Sequence, residues 1–405
     1  MREEKDKPAI RFEGFTDAWE QRKFGEIFEE YSEKGHPELP PLTIIQGGGT
    51  IRRDESDRSL QYDKASLANY KMVNDGDFIV HLRSFEGGLE MATTLGIISP
   101  AYHTFHGEGT DSRFYYSYFR SSKFIDHDLK PHVYGIRDGR SIDIGGMKTI
   151  EVPWTSFEEQ KAIGDYIDAL DDLITLHQRK YEKLVTIKKS CLEKMFPQNG
   201  SLYPEVRFSG YTDPWEQRKL SSIADRITRK NAGLESTLPL TISAQYGLVD
   251  QVTYFNNRVA SQNISNYYLI KNGEFAYNKS SSDGYPFGAV KRLDLYEMGV
   301  LSTLYIVFAL KDQTVSSDFL ACYYDTDNWH KQVSERATEG ARNHGLLNIS
   351  AEDFLDTDLL VPPDIQEQAL IGDYLKKVDS IITLHQRELE KLRNLKKSLL
   401  QQMFV

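Results

Sequence analysis

Two stretches of the chain have a seven-residue repeat in which most positions are apolar, and a second apolar position follows most of them four residues later. The repeated positions are Ile163, Leu170, His177, Leu184 and Cys191 in the first stretch, and Ile371, Val378, His385, Leu392 and Leu399 in the second. This run of heptads is long enough for a coiled coil, with helices about 55 Å long. We therefore predict two long amphipathic helices that pack against each other, most simply in antiparallel orientation.

His177 and His385 stand at equivalent positions of the predicted seam. One interpretation is a polar residue that fixes the register of the two helices, with or without sensitivity to pH. The simpler interpretation is a partly exposed histidine at the edge of the seam. Neither interpretation gives these residues a catalytic role.

The segments that precede the two helices have the pattern of short strands. Residues 77–82, 240–243 and 299–310 are β-branched, aromatic or alternating, and turn residues bound them. Short helices are expected at residues 112–121 and 316–324, where a serine or an aspartate can cap the first turn. The pattern predicts an α+β fold with two similar mixed domains, each followed by a long helix. An antiparallel helix pair would place the two domains at opposite ends, related by a pseudo-twofold axis.

An internal duplication accounts for this organisation. Residues 11–24 return as residues 207–220, and residues 159–196 return as residues 367–404. Between these blocks the order of the motifs is kept, although loop lengths differ, and binding residues tend to lie on such loops. We predict a first domain at 1–155, a helix and linker at 156–200, a second domain at 201–364 and a second helix at 365–405.

Composition narrows the class of protein. With 405 residues, of which 40% are hydrophobic, the chain can bury two or three cores. The net charge of −11 argues against a protein that coats nucleic acid by bulk charge, but it leaves room for local basic loops. The chain has two cysteines and no CxxC motif, its charged N-terminus lacks a signal-peptide core, and its longest apolar run is too short to cross a bilayer. We expect a cytoplasmic protein.

Enzymatic motifs are missing from the sequence. It has no Walker A loop, no GxSxG elbow and no HExxH helix. Residues 47–49 are three glycines that suit a hairpin tip better than a dinucleotide loop. His103 and His106 lack further metal ligands, and the aspartates at 165, 168, 171 and 172 suit a solvated helix face or a surface for a basic partner. We predict no catalytic residue, no metal site and no cofactor bound by this chain.

Signals for nucleic-acid binding are local. Arginine, asparagine, glutamine and lysine are the residue types that pair with base edges, and several of them stand with tyrosines in polar loops. The candidates are Arg52, Arg53, Arg83, Tyr134, Arg137 and Arg140 in the first half, and Lys230, Gln245, Tyr246, Asn278, Lys279, Arg342 and Asn343 in the second. Any one of these loops alone is explained as well by an ordinary polar surface. Arg137 and Arg342 follow a Gly-x pattern in both halves, which favours a contact with the DNA backbone or a role in stabilising the fold.

The whole pattern resembles the specificity subunit of type I restriction–modification systems. The motif Trp-Glu-Gln-Arg-Lys at 19–23 and 215–219 carries the resemblance, together with the proline-containing strand ends at 152–153 and 361–363 and the Glu-Gln pairs that follow them. The resemblance implies that each domain reads one half of a split, asymmetric DNA site and that the coiled coil fixes the spacer between them. It also implies docking of two methyltransferase subunits, which carry S-adenosylmethionine and flip the target adenine, and of two motor–nuclease subunits that use ATP and Mg²⁺.

Eight seam positions are the residues expected to hold the coil and its partners: Ile163, Leu170, His177, Leu184, Ile371, Val378, His385 and Leu392. Two other classes of function stay open at this point. A coiled-coil scaffold that presents two protein-binding domains would not bind DNA sequence-specifically, even with partner subunits. An enzyme with an unrecognised site would be active as the isolated chain.

Overall fold

The computed structural model describes residues 7–56, 64–81, 83–135, 141–243, 246–257, 259–282, 284–311, 314–337 and 347–404. The chain divides into two compact units. The first unit comprises Met1–Arg179 together with Gln386–Val405, and the second comprises Lys180–His385. Each long helix therefore begins in one unit and ends in the other.

The first unit is a mixed α/β domain built from short strands. Its strands are β1 (Glu20–Lys23), β2 (Glu29–Tyr31), β3 (Leu42–Ile45), β4 (Gly49–Arg52), β5 (Lys71–Val73), β6 (Phe78–Val80), β7 (Glu90–Met91), β8 (Gly96–Ile98), β9 (His103–His106), β10 (Val133–Tyr134), β11 (Ser141–Ile142) and β12 (Glu151–Trp154). Its helices are α1 (Phe24–Ile27), α2 (Ser84–Gly87), α3 (Ser112–Phe119), α4 (Ile144–Met147) and the first part of α5 (Phe157–Lys194), with 3₁₀ turns at Arg53–Glu55, Lys64–Asn69 and Lys130–His132 and a π-helical turn at Phe124–Leu129.

A four-stranded antiparallel sheet in the order β2-β9-β6-β7 forms the centre of this unit. Asp111 caps the first turn of helix α3. The helix packs on the sheet through Phe114 and Phe119, which are buried in the core. Phe28, Phe78 and Phe119 meet there in edge-on contacts with ring centroids 5.0–5.5 Å apart. The paired strands β3–β4, β5–β8, β1–β12 and β10–β11 surround this centre.

The second unit repeats the same plan. Its strands are β13 (Glu216–Lys219), β14 (Ala224–Arg226), β15 (Leu240–Ser243), β16 (Gly247–Asp250), β17 (Tyr268–Lys271), β18 (Phe275–Asn278), β19 (Ala289–Arg292), β20 (Met298–Leu301), β21 (Ile306–Leu310) and β22 (Asp358–Val361). Its helices are α6 (Leu220–Ile223), α7 (Gln251–Phe255), α8 (Ser317–Tyr323), α9 (His330–Arg336), α10 (Ala351–Leu355) and the first part of α11 (Ile365–Met403). The sheet order β14-β21-β18-β19 corresponds strand for strand to β2-β9-β6-β7.

The helices predicted near 112–121 and 316–324 are present as α3 and α8, but the prediction for 299–310 was wrong in one respect. This apolar run is two strands, β20 and β21, separated by a turn in which the N–H of Tyr305 donates to the carbonyl of Ser302 at 3.1 Å. The two strands pair with different partners, β17 and β18. A continuous apolar run does not show where a chain leaves one sheet for another.

The duplicated motifs form the framework of each unit. Arg11 makes two hydrogen bonds with Glu159, at 2.5 and 2.7 Å, and Arg207 makes the same pair with Glu367, at 2.6 and 2.9 Å. The glutamine after each glutamate is also buried. Its side chain bonds the N-cap residue of α3 or α8 and the chain that leads into the long helix. At these positions the repeated residues therefore stabilise the fold of each unit.

The Met-Phe pairs that end the two repeats close the cores. Phe404 packs against Trp19, Phe114 and Tyr118, with centroid distances of 5.2–6.4 Å. Phe196 packs in the same way against Trp215 and Phe319. The core of the first unit thus depends on the last residues of the chain, while the second unit uses the end of α5.

Helices α5 and α11 are antiparallel in each unit considered alone. In the first unit Asp171 of α5 pairs with Lys396 of α11 at 2.5 Å. Further along α5, Gln178 accepts a hydrogen bond from Arg393 of α11 at 3.1 Å. In the second unit Lys188 pairs with Asp379 at 2.7 Å, and Cys191 lies 4.0 Å from the hydroxyl of Tyr374. The predicted fold class, with two similar domains and an antiparallel helix pair, is confirmed, while the pseudo-twofold relation stays a prediction.

Candidate nucleic-acid interface

The end of the central strand β6 brings several polar side chains of the first unit together. His81 follows the strand and Arg83 lies two residues later, where its Nε is 3.1 Å from the carboxylate of Glu86 and its side chain is 68% exposed. The N–H of Arg83 donates to Nδ1 of His81 at 3.3 Å, which assigns the ring proton to Nε2. In the described part of the structure this Nε2 is buried and makes no hydrogen bond.

A small cavity joins this strand end to two other segments. His81 and Phe85 line it on one side, His103 of β9 on another, and Ser141 of the β10–β11 hairpin on a third. Burial lowers the pKa of His81, and the nearby carboxylate of Glu90 only partly opposes this. The imidazole is therefore neutral near pH 7, and its ring lines a cavity that Ser141 and Ile142, which directly follow Arg140, also line.

An ion cluster on β2 supports the same edge. The carboxylate of Glu30 accepts from His103 and from Lys148, both at 2.7 Å. Burial alone would raise the pKa of Glu30, but the hydrogen bonds from these two partners outweigh it and lower the pKa. This cluster fixes His103 and Lys148, which are both partly exposed, beside the cavity.

The second unit builds the equivalent edge with different residues. Strand β18 ends at Asn278, whose Oδ1 accepts from the N–H of Ser280 at 3.1 Å. Lys279 donates to the carbonyl of Ile349 at 3.2 Å, and its own carbonyl accepts from Leu347 at 3.0 Å. Burial lowers the pKa of Lys279, and the charge of Arg226 adds to this. The structure thus places Asn278 and Lys279 against the residues that directly follow the loop of Arg342 and Asn343.

The β3–β4 hairpin with the turn that follows it, and the equivalent β15–β16 hairpin, carry three further described candidates, and a fourth lies beside β17. Arg52 is half exposed but pairs with Asp54 at 2.9 Å, and Arg53 donates to the carbonyl of Leu42 at 3.3 Å. In the second unit Tyr246 is 49% exposed beside the hairpin tip. Lys230, which is also exposed, lies 3.9 Å from the ring centroid of Tyr268.

Five predicted DNA-binding residues lie outside the described residues: Arg137, Arg140, Gln245, Arg342 and Asn343. The described candidates lie at the strand ends or at the hairpins, apart from Lys230 beside β17 and Tyr134, which ends β10 and is 59% exposed. All thirteen stay predictions as DNA contacts. His81, Lys148, Arg226 and Glu90 were not predicted from the sequence; for Glu90, a charged residue in an apolar strand is a usable signal.

The seam residues divide by burial. Ile163, Leu170, Ile371 and Val378 are buried, whereas Leu184 and Leu392 are half-buried. His177 and His385 are also half-buried, and their role stays a prediction. The acidic residues at 165 and 168 pair with Arg113 of α3, at 2.6 and 3.3 Å. They are therefore engaged within the first unit.

Among the described residues there is no cluster of histidine, cysteine, aspartate and glutamate that could hold a metal ion. Within that same part of the chain, no helix has both the length and the apolar character needed to cross a membrane. Cys191 and Cys322 are free, and burial raises the pKa of Cys322 to about 12.

Comparisons with known proteins agree with this architecture. The type I restriction modification DNA specificity domain matches residues 213–394. The specificity subunit of the type I restriction enzyme MjaVIII from Methanocaldococcus jannaschii is 21% identical over 271 residues, and the match spans 62% of this chain and 61% of that protein.

One solved structure gives the same result for the fold. The S subunit of a type I restriction-modification system from M. genitalium superposes with a TM-score of 0.61 at 13% identity, over 98% of this chain and 99% of that one. The HsdS subunit from Thermoanaerobacter tengcongensis gives a TM-score of 0.44 at 16% identity, over 95% and 96% of the two chains. The first of these likenesses covers both units and both long helices.

Proposed function

We propose, because this chain belongs to the family of type I restriction–modification specificity subunits, that it recognises a bipartite, asymmetric DNA sequence on behalf of a methyltransferase and an endonuclease. In this proposal the target-recognition domain of each unit reads one half of the site. The chain itself performs no catalytic step.

One observation carries the proposal: the two units keep a scaffold and differ at its polar edge. Phe78 pairs with Phe105 across the first sheet, and Phe275 pairs with Phe308 across the second. This register makes His81 of the first unit equivalent to Asn278 of the second. An asymmetric DNA site needs two readers of the same shape with different contact residues, and direct readout of base edges depends on such side chains.

The long helices would fix the distance between the two half-sites and bind the partner subunits. They pass through both units, so their length would set the unread spacer between the two half-sites. Leu173 and Leu176 of α5 are 40% and 46% exposed, and Ile381 and Leu384, their equivalents on α11, are 43% and 55% exposed. Apolar side chains exposed at the same places of both repeats suit two copies of one partner. We assign these two surfaces to two methyltransferase subunits.

The chemistry then belongs to the partners. The methyltransferase subunits would bind S-adenosylmethionine and extrude the target adenine from the duplex, and two motor–nuclease subunits would use ATP and Mg²⁺. Such an assembly works on DNA in the cytoplasm. Partner surfaces would also offset the acidity of this chain, whose net charge is −11, along the phosphate backbone.

Exchange of one domain tests this proposal. Residues 201–364 are replaced by the corresponding domain of a relative with a known target, and the methylated sequence is mapped in cells that also express the methyltransferase subunit. We expect one half of the methylated site to change and the other half and the spacer to stay the same. A change in both halves would contradict the assignment of one half-site to each domain.

Charged substitutions on the exposed helix surfaces test the docking of the methyltransferase subunits separately. Leu176→Asp and Leu384→Asp together should abolish co-purification of the methyltransferase subunit, while the equally exposed Leu295→Asp, in the second unit away from α11, should not. Retained co-purification of the double variant would place the docking surface elsewhere. The alternative function, a scaffold that presents two protein-binding domains, predicts no sequence-specific methylation in a complex that assembles normally.

A further inference from the structure

The hairpin β3–β4 ends in an exposed tip formed by Ile45, Gln46, Gly47 and Gly48. The N–H of Gly48 donates to the carbonyl of Ile45 at 2.9 Å and closes the turn. Gly47 and Gly49 have φ angles of +82° and +71°, which glycine adopts without steric cost. A two-stranded ribbon of this width fits the major groove of B-DNA.

A fully buried carboxylate holds this tip. Glu90 of β7 accepts from the N–H groups of Gly47 and Gly49 at 2.7 and 3.2 Å, from the hydroxyl of Tyr116 at 2.8 Å and from the guanidinium of Arg120 at 2.6 Å. A buried carboxylate is tolerated only when its oxygens are satisfied, and these four donors satisfy them. Glu90 therefore fixes the hairpin tip to helix α3 and the residue that follows it.

A second contact lies beside the first. The N–H of Thr93 donates to Oγ1 of Thr50 at 3.0 Å, and its hydroxyl donates to the carbonyl of Thr50 at 2.5 Å. These bonds join β4 to the chain after β7. The tip is thus held from both sides, which lowers the entropy it would lose on entering a groove.

Within the described residues, the second unit has a lysine in place of this carboxylate. Met91 pairs with Phe78 as Arg292 pairs with Phe275, so Lys291 stands where the first unit has Glu90. Lys291 pairs with Asp325 at 2.6 Å, and an ammonium group cannot accept from backbone N–H groups. The carboxylate at the hairpin is therefore a feature of the first unit, at a place where two readers of different sequences should differ.

Gln46 is the one side chain at the tip with a carboxamide. It is exposed and lies over Gly87 of α2, where the Cβ of any other residue would overlap its Nε2. A glutamine can bond the N6 and N7 atoms of adenine together. We propose that Gln46 reads an adenine in the half-site of the first unit and that Glu90 is the positioning residue that holds it there. This inference rests on the DNA-recognition function proposed above.

Gln46→Ala tests the contact directly, in the complex with the methyltransferase subunit. Methylation rates are measured on DNAs that carry each of the four base pairs at every position of the half-site. We expect discrimination at one A·T pair to fall by roughly five- to 150-fold, the size of one bidentate base contact, while the other half-site is unaffected. If both half-sites keep wild-type discrimination, Gln46 is not a reading residue.

Glu90→Gln tests the positioning role, with Glu108→Gln as the charge-matched control on an exposed loop. Glu90→Gln should lower the discrimination between bases at the same base pair. The double variant Gln46→Ala/Glu90→Gln should discriminate there as well as Gln46→Ala alone. A uniform loss of methylation with discrimination intact would mean that Glu90 is only structural. A wild-type complex that methylates no bipartite site would remove the proposed function, whereas an unaltered Gln46→Ala variant removes only this inference.

Discussion

Arg120 and Asp325 occupy equivalent positions after the helix that packs on each sheet, and they carry opposite charges. Arg120 pairs with Glu90 at 2.6 Å, and Asp325 pairs with Lys291 at the same distance. Asp325 also accepts from Lys188 of α5 at 2.9 Å, an interaction that an arginine cannot provide. Because of this reversal of charge, Asp325 joins the second domain to α5 within its unit. In the first unit, Glu90 instead accepts hydrogen bonds from the hairpin tip.

Asp325→Asn should destabilise the second unit by about 2–3 kcal/mol. The substitution removes the counter-charge of Lys291 and one of the two counter-charges of Lys188, which keeps Asp379. The cost is below that for fully buried pairs because Asp325 is 20% exposed. Urea unfolding measures the effect. Glu335→Gln, which affects an exposed pair with Lys331, should leave the unfolding midpoint unchanged. Equal effects of the two substitutions would contradict a structural role for the Asp325 network.

The same network predicts acid sensitivity. Burial alone would raise the pKa of Asp325, but Lys291 and Lys188 outweigh it and lower the pKa. A lowered folded-state pKa means that the stabilisation is present above the ordinary aspartate pKa of about 3.9 and is lost as the pH falls through the folded-state value. Asp325→Asn should therefore flatten the loss of stability of the second unit below about pH 4. An unchanged acid profile would show that the aspartate is not ionised in the fold.

Phe404→Ala should destabilise the N-terminal domain, although the substitution is next to last in the chain. The side chain is 7% exposed in the core of the first unit, and loss of a buried phenylalanine costs about 3–5 kcal/mol. Hydrogen exchange resolved by mass spectrometry should show faster exchange in the first unit only. Phe196→Ala is the matched variant for the second unit. Faster exchange of both units in the Phe404 variant would contradict this division of the cores.

His81→Asn should reduce the pH dependence of stability of the first unit below about pH 6.5. Burial lowers the pKa of His81, so the unfolded chain binds the proton more readily and stability falls as the pH drops below the ordinary histidine value. Asparagine stands at the equivalent position of the second unit. Melting temperatures at pH 7.5 and 5.5 measure the change, and an unaltered difference between them would contradict it. His330→Asn, where burial also lowers the pKa, should act on the second unit alone.

Arg137→Ala and Arg342→Ala should weaken methylation without changing the methylated sequence. A residue kept in both halves is suited to the phosphate backbone, and loss of one such contact weakens binding to all sequences and lowers the salt dependence by about one ion. Methylation rates at several salt concentrations measure both quantities. Changed specificity in either variant would instead make that arginine a base reader.

The framework of the fold could be predicted because its motifs are repeated in the sequence. Two copies of Trp19-Glu20-Gln21 and of the Glu159-Gln160 pair revealed the duplication, and the heptads of α5 and α11 revealed the helix pair. The strand break in 299–310 was not visible, because β20 and β21 are both apolar. Glu90 and His81 were not predicted for another reason: their roles depend on partners 26 to 43 residues away or on burial, which spacing along the chain does not show.

The central claim is that two similar domains of one chain read the two halves of one DNA site. Its most direct test is co-expression with a methyltransferase subunit in a host without adenine methylation, followed by long-read mapping of methyladenine. We predict a single bipartite motif with two different halves and a fixed gap. A complex confirmed as soluble and assembled that leaves the genome unmethylated would contradict the claim.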